Sequence, residues 1–172
     1  MNSSIEALLG DDHESLAQLL VELNTQLTRS NSVRAFELLD LFWARLAVHI
    51  RAENLHLFPA LANTPAARFT GKGGLPTAEE AHNTLLSLRS DHDFFMKELA
   101  QMMKVARAKD GRDEVKALKK RLAVIKKRLE VHNDLEEKQV YHWPSLLLDE
   151  KSATALSKRL RHELENLPPR FA

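Results

Sequence analysis

The sequence predicts an all-α protein: an antiparallel, up-down four-helix bundle with a pseudo-two-fold repeat, plus a C-terminal helix. Three observations carry this. Four long segments place apolar residues three and four apart, the period of a helix with one buried face. Glycine and proline, five and six in 172 residues, fall mostly between those segments. The chain also repeats itself. Asp12-His13-Glu14 followed by Leu16 and Leu20 returns as Asp91-His92-Asp93 followed by Phe95 and Leu99, and His49-x-x-x-Glu53 returns as His132-x-x-x-Glu136. Two helix pairs of one plan, joined, make a bundle with an approximate two-fold axis.

Along the chain, residues 3–10 are a short lead, with Ser3 and Glu6 in capping-box spacing and Gly10 expected to end or kink it. Asp11 with Glu14 is a second start signal, and the first long helix runs to about residue 29 with His13, Leu16, Leu20, Leu23 and Leu27 inward. Ser30-Asn31-Ser32 is a turn. The second segment runs to about residue 62, with the row Phe36, Leu39, Phe42, Leu46, His49, Glu53 and Leu57 inward, and Pro59 is expected to kink it or end it early. Residues 63–77 are a connection rich in Pro, Gly and Thr, long enough to be a candidate lid.

Thr77 and Glu80 cap the third segment, which runs to about residue 109 with Leu85, Leu88, His92, Phe95, Leu99 and Met102 or Met103 inward. Asp110-Gly111-Arg112 is the next turn. The fourth segment carries Leu118, Leu122, Ile125, Leu129, His132, Glu136 and Val140 inward and is expected to stop at Trp143, before Pro144. A last helix, about 150–167, turns Leu156, Leu160, Leu164 and Leu167 inward and ends at Pro168-Pro169. It either caps the bundle or meets a second copy in a homodimer. Residues 1–172 read as one domain, with the bundle at about 11–143.

Composition narrows the function. A hydrophobic share of 44% supports a real core. A net charge of +1 sets up no field that would recruit nucleic acid or a membrane. The basic residues Lys116, Lys119, Lys120, Arg121, Lys126, Lys127 and Arg128 read as a solvated helix face, since no aromatic residue is interleaved with them. The absence of cysteine excludes disulfides and thiolate metal sites. The first residues lack a basic n-region, and no apolar run approaches the ~20 residues of a membrane span, so a cytoplasmic protein is expected.

The chemistry lies where the inward rows turn polar. His49 and Glu53, and again His132 and Glu136, stand one helical turn apart on otherwise apolar stripes. A carboxylate buried without a partner costs several kcal/mol, and a bound cation is an effective counter-charge. In an antiparallel pair, residues at one height are equidistant from the turn. The midpoint of positions 13 and 49 falls on Asn31, and that of 92 and 132 on Arg112, each within its expected turn. The midpoint of 49 and 92 falls inside the long connection. One histidine on an apolar face is usually a core residue with a hydrogen bond; four histidines and two glutamates converging on one slice of a bundle point to metal.

His13, His49, His92 and His132 with Glu53 and Glu136 are therefore the candidate ligands. Nitrogen and oxygen donors suit iron, manganese or zinc, and six are too many for one tetrahedral zinc. They suit two metals, each with two histidines, bridged by both glutamates. With these residues, and with Leu57-Phe58-Pro59-Ala60-Leu61 after Glu53, the chain resembles the haemerythrin-like, or HHE cation-binding, family over roughly residues 10–145. The resemblance implies a non-haem di-iron centre, two oxo- or hydroxo-bridged irons, in an up-down bundle; manganese or a mixed pair remains compatible. Open metal positions would then bind or react with O2, NO or peroxide. An iron-donating or sensing module is the alternative.

The fifth histidine of oxygen-carrying members would lie one turn from His92, where this chain has Leu88 and Met96. That argues against a dedicated oxygen store. The ligand count is similar to that of the di-iron domain of repair-of-iron-centres proteins, but the cysteine-bearing N-terminal domain of those proteins has no counterpart in these cysteine-free 172 residues, so that specific role is not expected. Glu137 occupies the position of an oxygen carrier's aspartate, but Glu136 repeats the His49/Glu53 spacing.

Other candidates rank lower. His56 reads as a hydrogen-bonded core or rim residue. Glu53-x-x-His56 and Glu79-x-x-His82 match the Glu-x-x-His pattern of ferritin-like di-iron bundles, but the fourth segment lacks one. Asp12, Asp91 and Asp93 are placed either to orient imidazoles or to lie exposed. Tyr141 and His142, beyond Glu136, either line the pocket or serve packing, with packing the better account, and Phe42, Trp43, Phe58 and Phe95 are expected to wall the pocket.

Overall fold

The computed structural model describes residues 4–108 and 112–171. Helix α1 (Ile5–Thr28) pairs with α2 (Ser32–Ala52), and α4 (Ala78–Ala108) with α5 (Arg112–Lys138). Contacts of α1 with α5 and of α2 with α4 close the ring of four. No strand occurs among the described residues; the one β-type pairing is an isolated bridge between Thr70 and Thr77. The all-helical bundle is as the periodicity predicts.

Helix α1 starts at Ser4, whose hydroxyl accepts the Ala7 N–H at 3.1 Å; the capping role expected of Ser3 lies outside the described residues. The helix neither ends nor kinks into a separate piece at Gly10. Ile5, Leu9, His13 and Leu16 form one buried row through it, and that apolar row outweighs the ~1 kcal/mol a glycine costs a helix interior.

The turn after α1 is short and fully bonded. Ser30 adopts a left-handed φ of 56°, and the Asn31 N–H reaches back to the Gln26 carbonyl at 3.0 Å, the Schellman closure of a helix end. The Asn31 side chain then caps α2 by accepting the Arg34 N–H. With so little slack, the register of α1 against α2 is set. The corresponding turn between α4 and α5 was expected at residues 110–112, of which 110 and 111 lie outside the described residues.

Pro59 acts upstream of itself. The α-helix gives way at Glu53 to a π-helical turn, Glu53–Leu57, in which the Phe58 N–H bonds the Glu53 carbonyl five residues back. Helix α3 (Phe58–Ala62) comes next, with Pro59 in its first turn. The wider turn removes the demand for an N–H that proline lacks. The interruption therefore begins six residues before the proline.

The long connection is ordered. Ala66–Arg68 forms a 3₁₀ turn, and Phe69 meets the Trp143 ring edge-on at 6.4 Å. The segment marked by its length as a lid is thus pinned to helix α6 (Trp143–Leu147). The capping box at its end forms as expected: Thr77 N–H donates to Glu80 at 2.8 Å, and Glu80 N–H donates to the Thr77 hydroxyl at 3.2 Å.

Helix α5 stops at Lys138, not at Trp143. Gln139 (φ −131°, ψ −70°) breaks it, a 3₁₀ turn covers Val140–His142, and Pro144 sits in the first turn of α6 rather than terminating α5. Past the break, Val140 and Tyr141 lie in the 3₁₀ turn and no longer follow the α5 register. The break buries both, along with Trp143 and Leu147.

Helix α7 (Glu150–Leu164), capped by Asp149 at the Ser152 N–H (2.7 Å), packs on α2 and the π turn of its own chain. Leu156 and Leu160 are buried there, while Leu164 and Leu167 are half-buried. Among the described residues no helix is long and apolar enough to cross a membrane. The core divides into two apolar clusters, one including Leu16, Leu39, Phe95 and Ile125, the other Leu9, Leu57, Leu88 and Leu160. Between them lies a layer of buried polar side chains.

Gly10→Ala tests the continuity of α1. A Cβ there meets nothing within 4 Å, so the substitution should stabilise the protein by ~0.5–1 kcal/mol. The urea midpoint should rise with an unchanged slope; a fall would indicate a break at Gly10.

Candidate metal centre

The polar layer contains His13 from α1, His49 from α2, Glu53 from the π turn, His92 from α4, and His132 and Glu136 from α5, all buried. Each comes from an inward row of its helix. The equal distances of His13 and His49 from the Asn31 turn bring their Nε2 atoms to 3.0 Å, and those of His92 and His132 meet at 3.2 Å. The structure thus brings together all six residues singled out by spacing.

They form two nests that share both carboxylates: His13, His49, Glu53 and Glu136, and Glu53, His92, His132 and Glu136, with ligand-type atoms within 4.8 Å of one another in each. Glu136 turns Oε2 toward His13 (3.4 Å) and Oε1 toward His132 (3.2 Å). Glu53 turns Oε2 toward His92 (3.2 Å) while its Oε1 accepts a hydrogen bond from Tyr141 (2.7 Å). Both carboxylates are fully buried.

The outer nitrogens explain the inward aim of the imidazoles. His49 Nδ1 meets Asp12 Oδ2 at 2.9 Å, and His132 Nδ1 meets Asp91 Oδ2 at 3.2 Å. His13 Nδ1 meets Glu137 Oε1 at 2.7 Å, and His92 Nδ1 meets Asn54 Oδ1 at 3.2 Å. All four partners are acceptors, so each Nδ1 carries the hydrogen and each Nε2 presents a lone pair to the centre. Arg45 bonds Asp12 and Arg128 bonds Asp91, holding those acceptors in place.

Four lone pairs cannot face one another in pairs at about 3 Å without a proton or a cation between them. Two carboxylate oxygens, Glu53 Oε2 and Glu136 Oε1, are buried with no hydrogen-bond partner. Donors of this kind, nitrogen and oxygen, unpaired and converging, can hold metal cations. In the metal-free protein, protons have to fill that role. Burial alone would lower the pKa of His13, but Glu136, Glu53 and Glu137 raise it to about 9. Burial opposes protonation of His132 as well, and Glu136, Glu53 and Asp91 raise its pKa. Burial would raise the pKa of Glu136, yet His13 and His132 hold it well below the usual carboxylate range.

The remaining candidates separate cleanly. Of the adjacent acids, Glu136 points inward, while Glu137 is about half exposed (49%) and serves His13 from outside. Asp12 and Asp91 do orient imidazoles, but across to the partner helix, and Asp93 is exposed. His56 lies at the rim, 3.5 Å from Glu163, and Glu79 and His82 are exposed, which removes the ferritin-like set. Phe58 stacks on His92 (5.6 Å, 3°), Phe95 meets His132 edge-on (5.3 Å), and Phe42 is buried among the bundle leucines. Trp43 instead borders a surface groove with Arg51 and Pro168.

Three groups carry more than their sequence signals suggest. Tyr141, assigned to packing, puts its hydroxyl 3.0 Å from His13 Nε2. Arg45 and Arg128 each stand four residues before a His-x-x-x-Glu, so the repeat is really Arg-x-x-x-His-x-x-x-Glu, a signal present in the sequence itself. Asn54 and Glu137 are likewise related, each directly after its inward glutamate.

Comparison with known families agrees with this geometry. Residues 4–144 match the family model described as the Hemerythrin HHE cation binding domain. No curated protein and no solved structure matches the chain.

The raised histidine pKa values set a sign for pH dependence. For a group of pKa 6.5 when unfolded and about 9 when folded, the stabilisation is complete below about pH 6.5 and is lost as pH rises through about 9. Chelator-treated, metal-free protein should therefore lose stability to urea between pH 6.5 and 9. A flat profile across that window would contradict the electrostatics described for His13 and His132.

Proposed function

Because the chain belongs to the haemerythrin HHE cation-binding family, we propose that its centre holds two iron ions and serves chemistry with O2, NO or peroxide. His13 and His49 would hold one ion and His92 and His132 the other, with Glu53 and Glu136 shared between the two groups. When bound, the iron pair supplies the electrons for redox chemistry with such small oxidants. Everything else is the work of the chain. The single observation that carries the reading is the pair of orphaned, fully buried oxygens, Glu53 Oε2 and Glu136 Oε1, aimed at imidazole lone pairs.

The protein's own contribution is orientation and exclusion of water. Asp12, Asp91, Glu137 and Asn54 fix the imidazole tautomers and make the nitrogens more basic. The apolar clusters above and below keep the centre dry, which strengthens every electrostatic contact inside it. Leu88 and Met96, one turn to either side of His92, offer no further ligand. That favours reactivity with a small molecule over dedicated oxygen storage.

Metal analysis after anaerobic reconstitution with ferrous iron tests this, with about two irons expected per chain. Near-ultraviolet absorption should appear on oxidation and shift with azide or NO. Fewer than about 1.5 irons per chain would contradict the di-iron reading. Multiple turnovers with peroxide or NO would mark an enzyme, and release to a chelator on reduction an iron donor. His49→Ala should lose metal together with stability, because the remaining ligands stay buried and unpaired. Asp91→Ala should keep the fold and weaken metal binding by about 10- to 100-fold.

A further inference from the structure

The pseudo-two-fold repeat relates His13 to His92, His49 to His132 and Glu53 to Glu136, and it extends to the aromatic residue beyond each glutamate. Five residues after Glu53 stands Phe58; five residues after Glu136 stands Tyr141. Phe58 lays a bare ring against His92. Tyr141 lies against His13, ring centroids 5.5 Å apart, with its hydroxyl in the centre. One half of the centre therefore contains an oxygen that the other half lacks. The two orphaned carboxylate oxygens lie nearest the histidines of the other half, Glu53 Oε2 at 3.2 Å from His92 and Glu136 Oε1 at 3.2 Å from His132, with His49 Nε2 further from Glu53 Oε2 at 3.6 Å.

The surroundings of that oxygen are unusual. Tyr141 Oη lies 2.7 Å from Glu53 Oε1, 3.2 Å from Glu136 Oε2, 3.0 Å from His13 Nε2 and 3.5 Å from His49 Nε2. With neutral imidazoles, whose outer nitrogens carry the hydrogen, all four neighbours present lone pairs, and a phenol has one hydrogen to offer; protons on the imidazoles relieve this in the metal-free protein, and a cation relieves it in the loaded one. One O–H cannot satisfy four acceptors. The spacing is instead that of donor atoms around a single ion. An octahedral ion with bonds of about 2.1 Å sets neighbouring donors about 3 Å apart. His13 Nε2 is also 3.0 Å from His49 Nε2 and 3.4 Å from Glu136 Oε2, so the set continues around the base.

We propose that Tyr141 is a fifth protein ligand to the cation held by His13 and His49, its phenol oxygen bonding the metal and its proton leaving to solvent as that bond forms. The cation held by His92 and His132 has Phe58 at the equivalent place and keeps its open position, so external ligands bind on that side. The two ions are then inequivalent, one enclosed by the protein and one available. This inference rests on the proposed metal centre, and it goes beyond that proposal by assigning different roles to its halves.

The chain contains a single tyrosine, which makes the test direct. Full-length wild-type protein is reconstituted with iron, oxidised, and its iron content measured on the same sample. The expected result is a visible phenolate-to-ferric charge-transfer band, with tyrosine ring modes enhanced in resonance Raman on excitation into it. Both should vanish in Tyr141→Phe while the azide-sensitive near-ultraviolet absorption persists. Should Tyr141→Phe fail to fold, the wild-type spectrum decides alone, because no other phenol can give the band. Iron-loaded wild type without the band overturns the inference, reducing Tyr141 to a hydrogen-bond donor to Glu53, and leaves the di-iron reading standing. A chain that takes up no iron overturns both.

Discussion

Two carboxylates with no access to water, Glu53 and Glu136, are the constraint around which this bundle is built. The ion-pair partners within 4 Å of them, among the described residues, are imidazoles and not lysine or arginine. Charges in such a place cost several kcal/mol unless they are compensated. The compensation has to come from protons on histidine or from cations between the ligands. The inward rows, the equidistant turns and the two apolar clusters all serve to hold that polar layer at one height in the bundle.

The layer is supported symmetrically. In each half an aspartate one residue before a histidine reaches across to the imidazole on the paired helix, and an arginine one turn before that imidazole steadies the aspartate. The residue after each inward glutamate takes the outer nitrogen of the remaining histidine. Symmetry of position is not symmetry of chemistry, however. Glu137 is an acid where Asn54 is an amide, and Tyr141 is a phenol where Phe58 is a hydrocarbon. The substituted positions all neighbour the centre, so the repeat retains the scaffold and differentiates the two sites.

Much of this was legible in the sequence because helical periodicity and antiparallel register are simple geometry. Rows of Leu with a His or Glu in phase identify inward faces, and a short turn converts position along the chain into height. The Thr77–Glu80 cap and the Asn31 turn arise from local chemistry. The features that were not legible came from places where global packing overrides local signals. Gly10 reads as a breaker, but a continuous buried row carries α1 through it. Pro59 announces an interruption without disclosing that it takes the form of a π turn beginning at Glu53. No glycine or proline stands at the break at Gln139, beyond which Val140 and Tyr141 are both buried.

The most direct test of the central claim is anomalous diffraction from crystals of iron-loaded protein, recorded on both sides of the iron absorption edge. The account predicts two anomalous peaks per chain, one beside the Nε2 atoms of His13 and His49 and one beside those of His92 and His132, with Glu53 and Glu136 between them. Peaks confined to the surface, or a centre closed by imidazole–carboxylate contacts with no anomalous signal at full iron load, would contradict it.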